Sequence, residues 1–148
     1  MIERGEGDLL AARVDALVNA VNAVGVMGKG LALQFKKAFP DNFRAYADAC
    51  ASGQLVMGRV FVFERQSAPR FIINFPTKAD WRQPSRLEYL SAGLADLAAT
   101  VSRLGISSLA MPALGCGLGG LHWSDVRPLI ERTFGRDSPV RVLLFEPR

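Results

Sequence analysis

The sequence is poor in the residues from which most metal and covalent-catalytic sites are built. In 148 residues it has one histidine, His122, and two cysteines, Cys50 and Cys116. No Cys-x-x-Cys pair and no histidine cluster accompanies them. This argues against a zinc framework or a disulfide scaffold and fits a reducing compartment. No apolar run approaches the roughly 18 residues of a membrane span. The opening Met-Ile-Glu-Arg-Gly-Glu-Gly-Asp has no apolar core, so no secretory leader is visible. Lysine is scarce as well: Lys29, Lys36, Lys37 and Lys78 are all there are, against 14 arginines that form no basic block. The net charge of +4 permits an anionic partner and equally fits ordinary solvated surface charge. These absences leave a soluble cytoplasmic domain that is read as monomeric, without metal or cofactor.

What is present is apolar residue and clustered glycine. A chain that is 49% hydrophobic is not disordered, and at this length one domain over residues 1–148 is expected. Of its 14 glycines, seven fall in two windows: Gly25, Gly28 and Gly30, then Gly115, Gly117, Gly119 and Gly120. Glycine grouped in this way serves tight turns or close ligand approach.

Strand and helix patterns alternate around these windows. Residues 15–21 read as a buried strand, and 28–39 as a helix opening at the first glycine window and ended by Pro40. Asp41 is the expected N-cap of a following helix. Residues 59–64 and 70–75 read as two strands joined by a loop containing Pro69. Ser85-Arg-Leu-Glu88 has the form of a capping box before a long helix bearing Leu87, Leu90, Leu94, Leu97, Val101 and Leu104. A strand over 107–111 leads into the second window. Ser124 is the expected cap of a helix with Pro128 near its first turn, and 140–145 is a last strand. The alternation predicts a three-layer α/β/α domain with a parallel or mixed central sheet. Ligands of such sheets bind beyond the carboxyl ends of the strands, where both glycine windows fall.

Neither window is a standard nucleotide loop. The first imitates a Walker A sequence but has Ala23 where the first glycine belongs and Gly30 where Ser or Thr should follow Lys29. The second matches Gly-x-Gly-x-x-Gly, yet only one helix and one strand follow it, too few for a dinucleotide fold. The local physics survives both failures. Successive N–H groups beside a helix N-terminus form an anion cradle. Turns without a ligand are the alternative.

The pieces in order resemble the macrodomain family, over nearly the whole chain from Gly7 to Phe145. They are Gly7-Asp8-Leu9-Leu10, then Val14-Asp-Ala-Leu-Val-Asn19-Ala-Val-Asn22, then Met27-Gly28-Lys29-Gly30-Leu31-Ala32, then Met111-Pro-Ala-Leu-Gly115-Cys116-Gly117-Leu118-Gly119-Gly120-Leu121. Met27 to Lys37 and the run from Gly115 to Trp123 are most similar to the branch that includes terminal ADP-ribose glycohydrolases and DarG-type antitoxins. In those antitoxins the hydrolase removes ADP-ribose from thymidine in single-stranded DNA and so opposes a DarT-type toxin. They carry a second, toxin-binding domain, so this chain would correspond to their N-terminal part.

The resemblance implies roles position by position. Asp8, aided by the Leu9 amide, would accept the adenine amino group, and Asn22 would bond the distal ribose. The Gly28, Lys29, Gly30 and Leu31 loop and the Gly115, Cys116, Gly117, Leu118, Gly119, Gly120 and Leu121 loop would wrap the pyrophosphate and distal ribose. Phe145 or Trp123 would pack near sugar or base. Phe75-Pro-Thr-Lys78 is similar to the strand-end segment that carries the catalytic lysine. One departure is clear: glycohydrolase relatives acting on protein have an aspartate where this chain has Gly119. A lysine-plus-aspartate mechanism is therefore in question, and a non-catalytic ADP-ribose-binding module is the alternative. Asp80 and His122 are candidate assistants of Lys78 by sequence proximity alone.

The chemistry of Lys78 has two forms. A deprotonated amine attacks C1 of the distal ribose, whereas a charged one stabilises a leaving base or an oxyanion. Cys116 reads as a small residue filling a tight loop. Asn19 and Asn22 suit hydroxyl recognition or backbone satisfaction at a strand end. Trp81-Arg82 suits stacking and phosphate contact with single-stranded nucleic acid, and a packed tryptophan equally.

Overall fold

The computed structural model describes residues 1–147. Its strands are β1 (Ile2–Arg4), β2 (Ala16–Asn22), β3 (Phe61–Glu64), β4 (Phe71–Lys78), β5 (Ser108–Met111) and β6 (Arg141–Leu144). Its helices are α1 (Gly30–Ala38), α2 (Pro40–Ala51), α3 (Leu87–Leu104) and α4 (Trp123–Phe134), with a single 3-10 turn at Leu9–Ala11. The six strands form one sheet in the order β1-β6-β5-β2-β4-β3. Its neighbours are parallel except for the β3–β4 pair at one edge, which is antiparallel. The expected three-layer architecture with a mixed sheet is what forms.

Side-chain alternation along the central strands builds a core on each face. Ala16 and Val18 of β2, Ile73 and Phe75 of β4, and Leu109 and Met111 of β5 pack under α3 and α4. The α3 stripe Leu90, Leu94, Leu97 and Val101 and the α4 residues Val126, Ile130 and Phe134 close that core. The intervening residues Leu17, Val21, Ile72 and Ala110 face the other way, against Phe35 of α1 and Tyr46 and Ala49 of α2. Fully burying each such Leu, Ile or Phe contributes roughly 1.5–3 kcal/mol.

Several boundaries differ from the sequence reading, each for a local reason. Pro40 opens α2 at N1 rather than merely ending α1, because its missing N–H is an orphan there anyway. Asp41 accordingly sits in the first turn and not at the cap. The capping box of α3 does not form: Arg86 holds the N-cap position without a side-chain hydrogen bond. His122, not Ser124, precedes α4, and Pro128 lies inside that helix. The three-residue β1 pairs with β6 and is too short to leave a periodic signal. β4 runs past Phe75 to Lys78, carrying Pro76 within it. Proline cannot donate to a ladder, and the β2–β4 register shifts just beyond it, after the pair Val21–Pro76.

Candidate functional site: a two-loop crevice at the carboxyl edge of the sheet

β5, β2 and β4 are adjacent and parallel, so the loops leaving their carboxyl ends gather at one edge. The chain leaves β2 toward α1 on one face and leaves β5 toward α4 on the other. This is a switch point in the winding of the sheet, where a crevice opens. A surface depression of about 780 Å³ lies at the opposite end of the fold, between Ile106, Phe134 and Val140, remote from both loops.

The first wall is the loop between β2 and α1. Asn22, at the end of β2 and 6% exposed, organises it. Its Oδ1 accepts from the Val24 N–H at 3.1 Å and the Val26 N–H at 3.4 Å, and its Nδ2 donates to the Val26 carbonyl at 2.8 Å. The Tyr46 hydroxyl donates to the same end of β2, 2.7 Å from Asn22 Oδ1. Most of the Asn22 carboxamide is thus committed within the protein, leaving one N–H for a ligand. Helix α1 then starts without a side-chain cap, Lys29 occupying the N-cap position. Among the described residues no acceptor meets the backbone N–H of Gly28, Lys29, Gly30 or Leu31. An uncapped helix start with open amides attracts anions.

The second wall is the loop between β5 and α4. Gly115 and Gly120 turn it at φ +73° and +80°, values that favour glycine. Internal bonds from Cys116 N–H to Ala113 and from Leu121 N–H to Gly115 hold its base. The N–H groups of Gly117, Leu118 and Gly119 meet no acceptor among the described residues, which makes a second cradle of open amides. Leu118 at its tip is 70% exposed and approaches Gly30 of the first wall.

Lys78 lies at the carboxyl end of β4, next to β2 on the side away from β5. It is half-buried, the register partner of Asn22 beyond the shift that follows Pro76. No carboxylate pairs with it among the described residues. The Ala23 N–H to Ala79 carbonyl bond of 3.2 Å ties the two strand ends together.

The sequence-proximal assistants divide. Asp80 chelates the Arg82 guanidinium at 3.0 and 2.8 Å and accepts the Arg82 N–H, and these bonds hold its carboxyl down at about 2. It is an anion at working pH, not a proton donor. His122 is exposed at the start of α4 and makes no cap bond. Burial pushes the Cys116 thiol up, the wrong direction for a nucleophile.

Asp8 is exposed and caps the 3-10 turn, its Oδ1 accepting from Leu10 N–H at 3.0 Å, with Leu9 buried beside it. Phe145 packs its ring over Gly5, and Trp123 packs against the α3–α4 core. Trp81 is 52% exposed, its ring 5.5 Å from the Arg82 guanidinium, so the packed-tryptophan alternative does not hold. Asn19 lies mid-strand in β2, fully buried beneath Met27, and not at the strand end. Among the described residues no three His, Cys, Asp or Glu side chains group to hold a metal ion.

Two residues were not legible as part of the site. Tyr46 registers in the sequence only as one apolar position of a helix, and Ser85 only as a helix cap. Their partners, Asn22 and Gly119, are distant in sequence.

The chain matches the Macro domain family over residues 18–130. It is 51% identical over 149 residues to a Thermus aquaticus protein named DNA ADP-ribosyl glycohydrolase, covering 99% of this chain and 41% of that protein. It therefore spans about two fifths of the length of such relatives. Among solved structures it is similar to the macrodomain of Mycobacterium tuberculosis DarG, with TM-score 0.97, 48% identity, and 100% and 99% of the two chains covered. It is also similar to Thermosipho africanus DarTG in complex with ADP-ribose, with TM-score 0.86, 39% identity, and 94% and 40% coverage. With the sheet order, the paired glycine loops and this extent of match in agreement, the chain belongs to the macro domain family.

Proposed function

We propose that the crevice binds ADP-ribose and that Lys78 drives its hydrolytic release from thymidine in single-stranded DNA, in the cytoplasm, as the antitoxin activity opposing a DarT-type toxin. The observation that carries this is Lys78 itself. It is an amine with no carboxylate partner among the described residues, paired in register with Asn22, at the same edge of the sheet as two loops that each offer open backbone amides. The names of the Thermus and Mycobacterium relatives support the reaction. The Thermosipho africanus fusion of a DNA ADP-ribosyl transferase with a glycohydrolase supports the partner.

In this reading the first loop's amides and the α1 N-terminus hold one phosphate and the second loop's amides the other. Asp8 takes the adenine amino group, with the Leu9 N–H beside it. Asn22 offers its remaining N–H to the distal ribose. Lys78 then acts at C1 of that ribose, and water replaces the thymine base.

Incubation with an ADP-ribosylated oligonucleotide tests it. Release of ADP-ribose by the wild-type protein and its loss in Lys78→Ala are expected, and equal release by the variant would sink the assignment. Lys78→Arg keeps the charge and removes the nucleophilic amine. Retained activity identifies electrostatic assistance, and lost activity identifies attack.

A second reading rests on Gly119. A Cβ there would lie 2.5 Å from the Gly115 carbonyl oxygen, so this loop conformation leaves no room for an acid. Tight ADP-ribose binding by calorimetry, with no turnover of DNA or protein substrates, would identify a binding module instead.

A further inference from the structure

Ser85 is 4% exposed, and its Oγ is one of two buried side-chain polar atoms, with Asn19 Oδ1, that have no hydrogen-bond partner among the described residues. Buried hydroxyls are nearly always bonded, so an unbonded one calls for a cause. This one lies against the second glycine loop. The Ser85 N–H donates to the Gly119 carbonyl at 3.0 Å. A Cβ on Gly119 would lie 2.3 Å from Ser85 Oγ and 2.5 Å from the Gly115 carbonyl oxygen. The missing side chain at Gly119 therefore brings the hydroxyl against the backbone of the loop.

The same loop carries the open N–H groups of Gly117, Leu118 and Gly119. N–H and C=O of one planar peptide point in opposite directions. Turning one of these amides outward to an anion turns the carbonyl of the preceding residue inward, on the side where Ser85 waits with a donor.

We propose that Ser85 is a positioning residue for the second loop, its hydroxyl bonding to that loop's backbone only when the loop amides engage the diphosphate of ADP-ribose. The proposal rests on the ADP-ribose reading of the crevice. In the free protein the hydroxyl contributes nothing to stability, so Ser85→Ala is neutral or stabilising there, because it removes an unsatisfied polar atom. With ligand the variant lacks one hydrogen bond, about fivefold in affinity. A merely structural serine would move both quantities in the same direction.

The experiment measures the melting midpoint of wild type and Ser85→Ala without and with ADP-ribose, with calorimetric Kd values alongside. Expected are an unchanged or raised midpoint for the free variant, a smaller ligand-induced rise, and about fivefold weaker binding. A wild-type rise reproduced in full by Ser85→Ala overturns the role of Ser85 alone. A lowered midpoint for the free variant also overturns it, since the hydroxyl would then already be bonded without ligand. No rise in the wild-type protein overturns the ADP-ribose reading, and the role of Ser85 with it.

Discussion

Tyr46 reaches from α2 to the end of β2, its hydroxyl 2.7 Å from Asn22 Oδ1 and 2.8 Å from the Asn22 carbonyl oxygen. Burial raises the phenol well above its ordinary pKa, so it remains a donor throughout the accessible pH range. Asn22 Oδ1 accepts in turn from Val24 and Val26. A helix, a strand end and a glycine loop are thereby joined through one carboxamide, whose strand partner is Lys78.

Tyr46→Phe keeps the ring in the core and removes only the donor. Asn22 Oδ1 keeps the Val24 and Val26 N–H groups, so the change removes one shared buried hydrogen bond, at a cost of about 1 kcal/mol. Urea unfolding of the variant is expected to give a lower midpoint with an unchanged slope. ADP-ribose binding should weaken with it, because the first loop loses its anchor. A variant with wild-type stability would show that the shared bond contributes nothing.

Gly119→Asp is the change that would imitate the glycohydrolases that act on protein. It is expected to disable the loop rather than complete a catalytic pair. The new Cβ meets the Gly115 carbonyl and the Ser85 hydroxyl, and backbone must shift at a cost of about 1–3 kcal/mol. The obstacle is space and not conformation, since Gly119 is not among the glycines at positive φ. Calorimetry should find ADP-ribose binding reduced at least tenfold, and enhanced turnover would refute the steric argument.

The layers and both loops were legible in the sequence because they rest on local pattern. Short apolar runs marked β2, β4 and β5, and the Leu90–Leu94–Leu97–Val101 stripe marked α3. What could not be read depends on contacts between distant segments. Ser85 and Glu88 have the spacing of a capping box, but the Ser85 N–H goes to Gly119 and the hydroxyl caps nothing. Lys78 was placed at a strand end. Its pairing with Asn22, however, depends on the register shift beyond Pro76, which no periodicity encodes. Asn19 and Asn22 look equivalent in sequence, yet three residues separate a buried core amide from the organiser of a loop.

Asp15 ties the start of β2 to the start of β5, its Oδ2 accepting from Ser107 N–H at 2.9 Å and Ser107 Oγ at 2.8 Å. These bonds favour the carboxylate and lower its pKa below the ordinary 3.8. A depressed folded-state pKa contributes stability that is present above the unfolded value and lost as pH falls through the folded one. Asp15→Asn is therefore expected to melt earlier than wild type at pH 7, with the gap closing below about pH 4. Thermal melting across pH 2–7 checks this, and a gap that stays constant would assign the effect to something other than ionisation.

Trp81 offers a test of substrate rather than of fold. It lies three residues beyond Lys78, 52% exposed, with the Arg82 guanidinium 5.5 Å from its ring. The two hydrogen bonds that Arg82 donates to Asp80 fix this turn and offset the arginine charge, so the ring and not the cation is the main contact offered. A nucleobase stacked on it would contribute about 1–3 kcal/mol. Trp81→Ala should then raise KM for an ADP-ribosylated oligonucleotide by roughly tenfold. The Kd for free ADP-ribose should not change, because removing an exposed ring takes no bond from either glycine loop. A substrate cut down to the single modified nucleotide should be hydrolysed alike by wild type and variant. Equal KM values on the long substrate would show that the DNA strand runs elsewhere. A parallel loss of ADP-ribose binding would instead make Trp81 part of the nucleotide pocket.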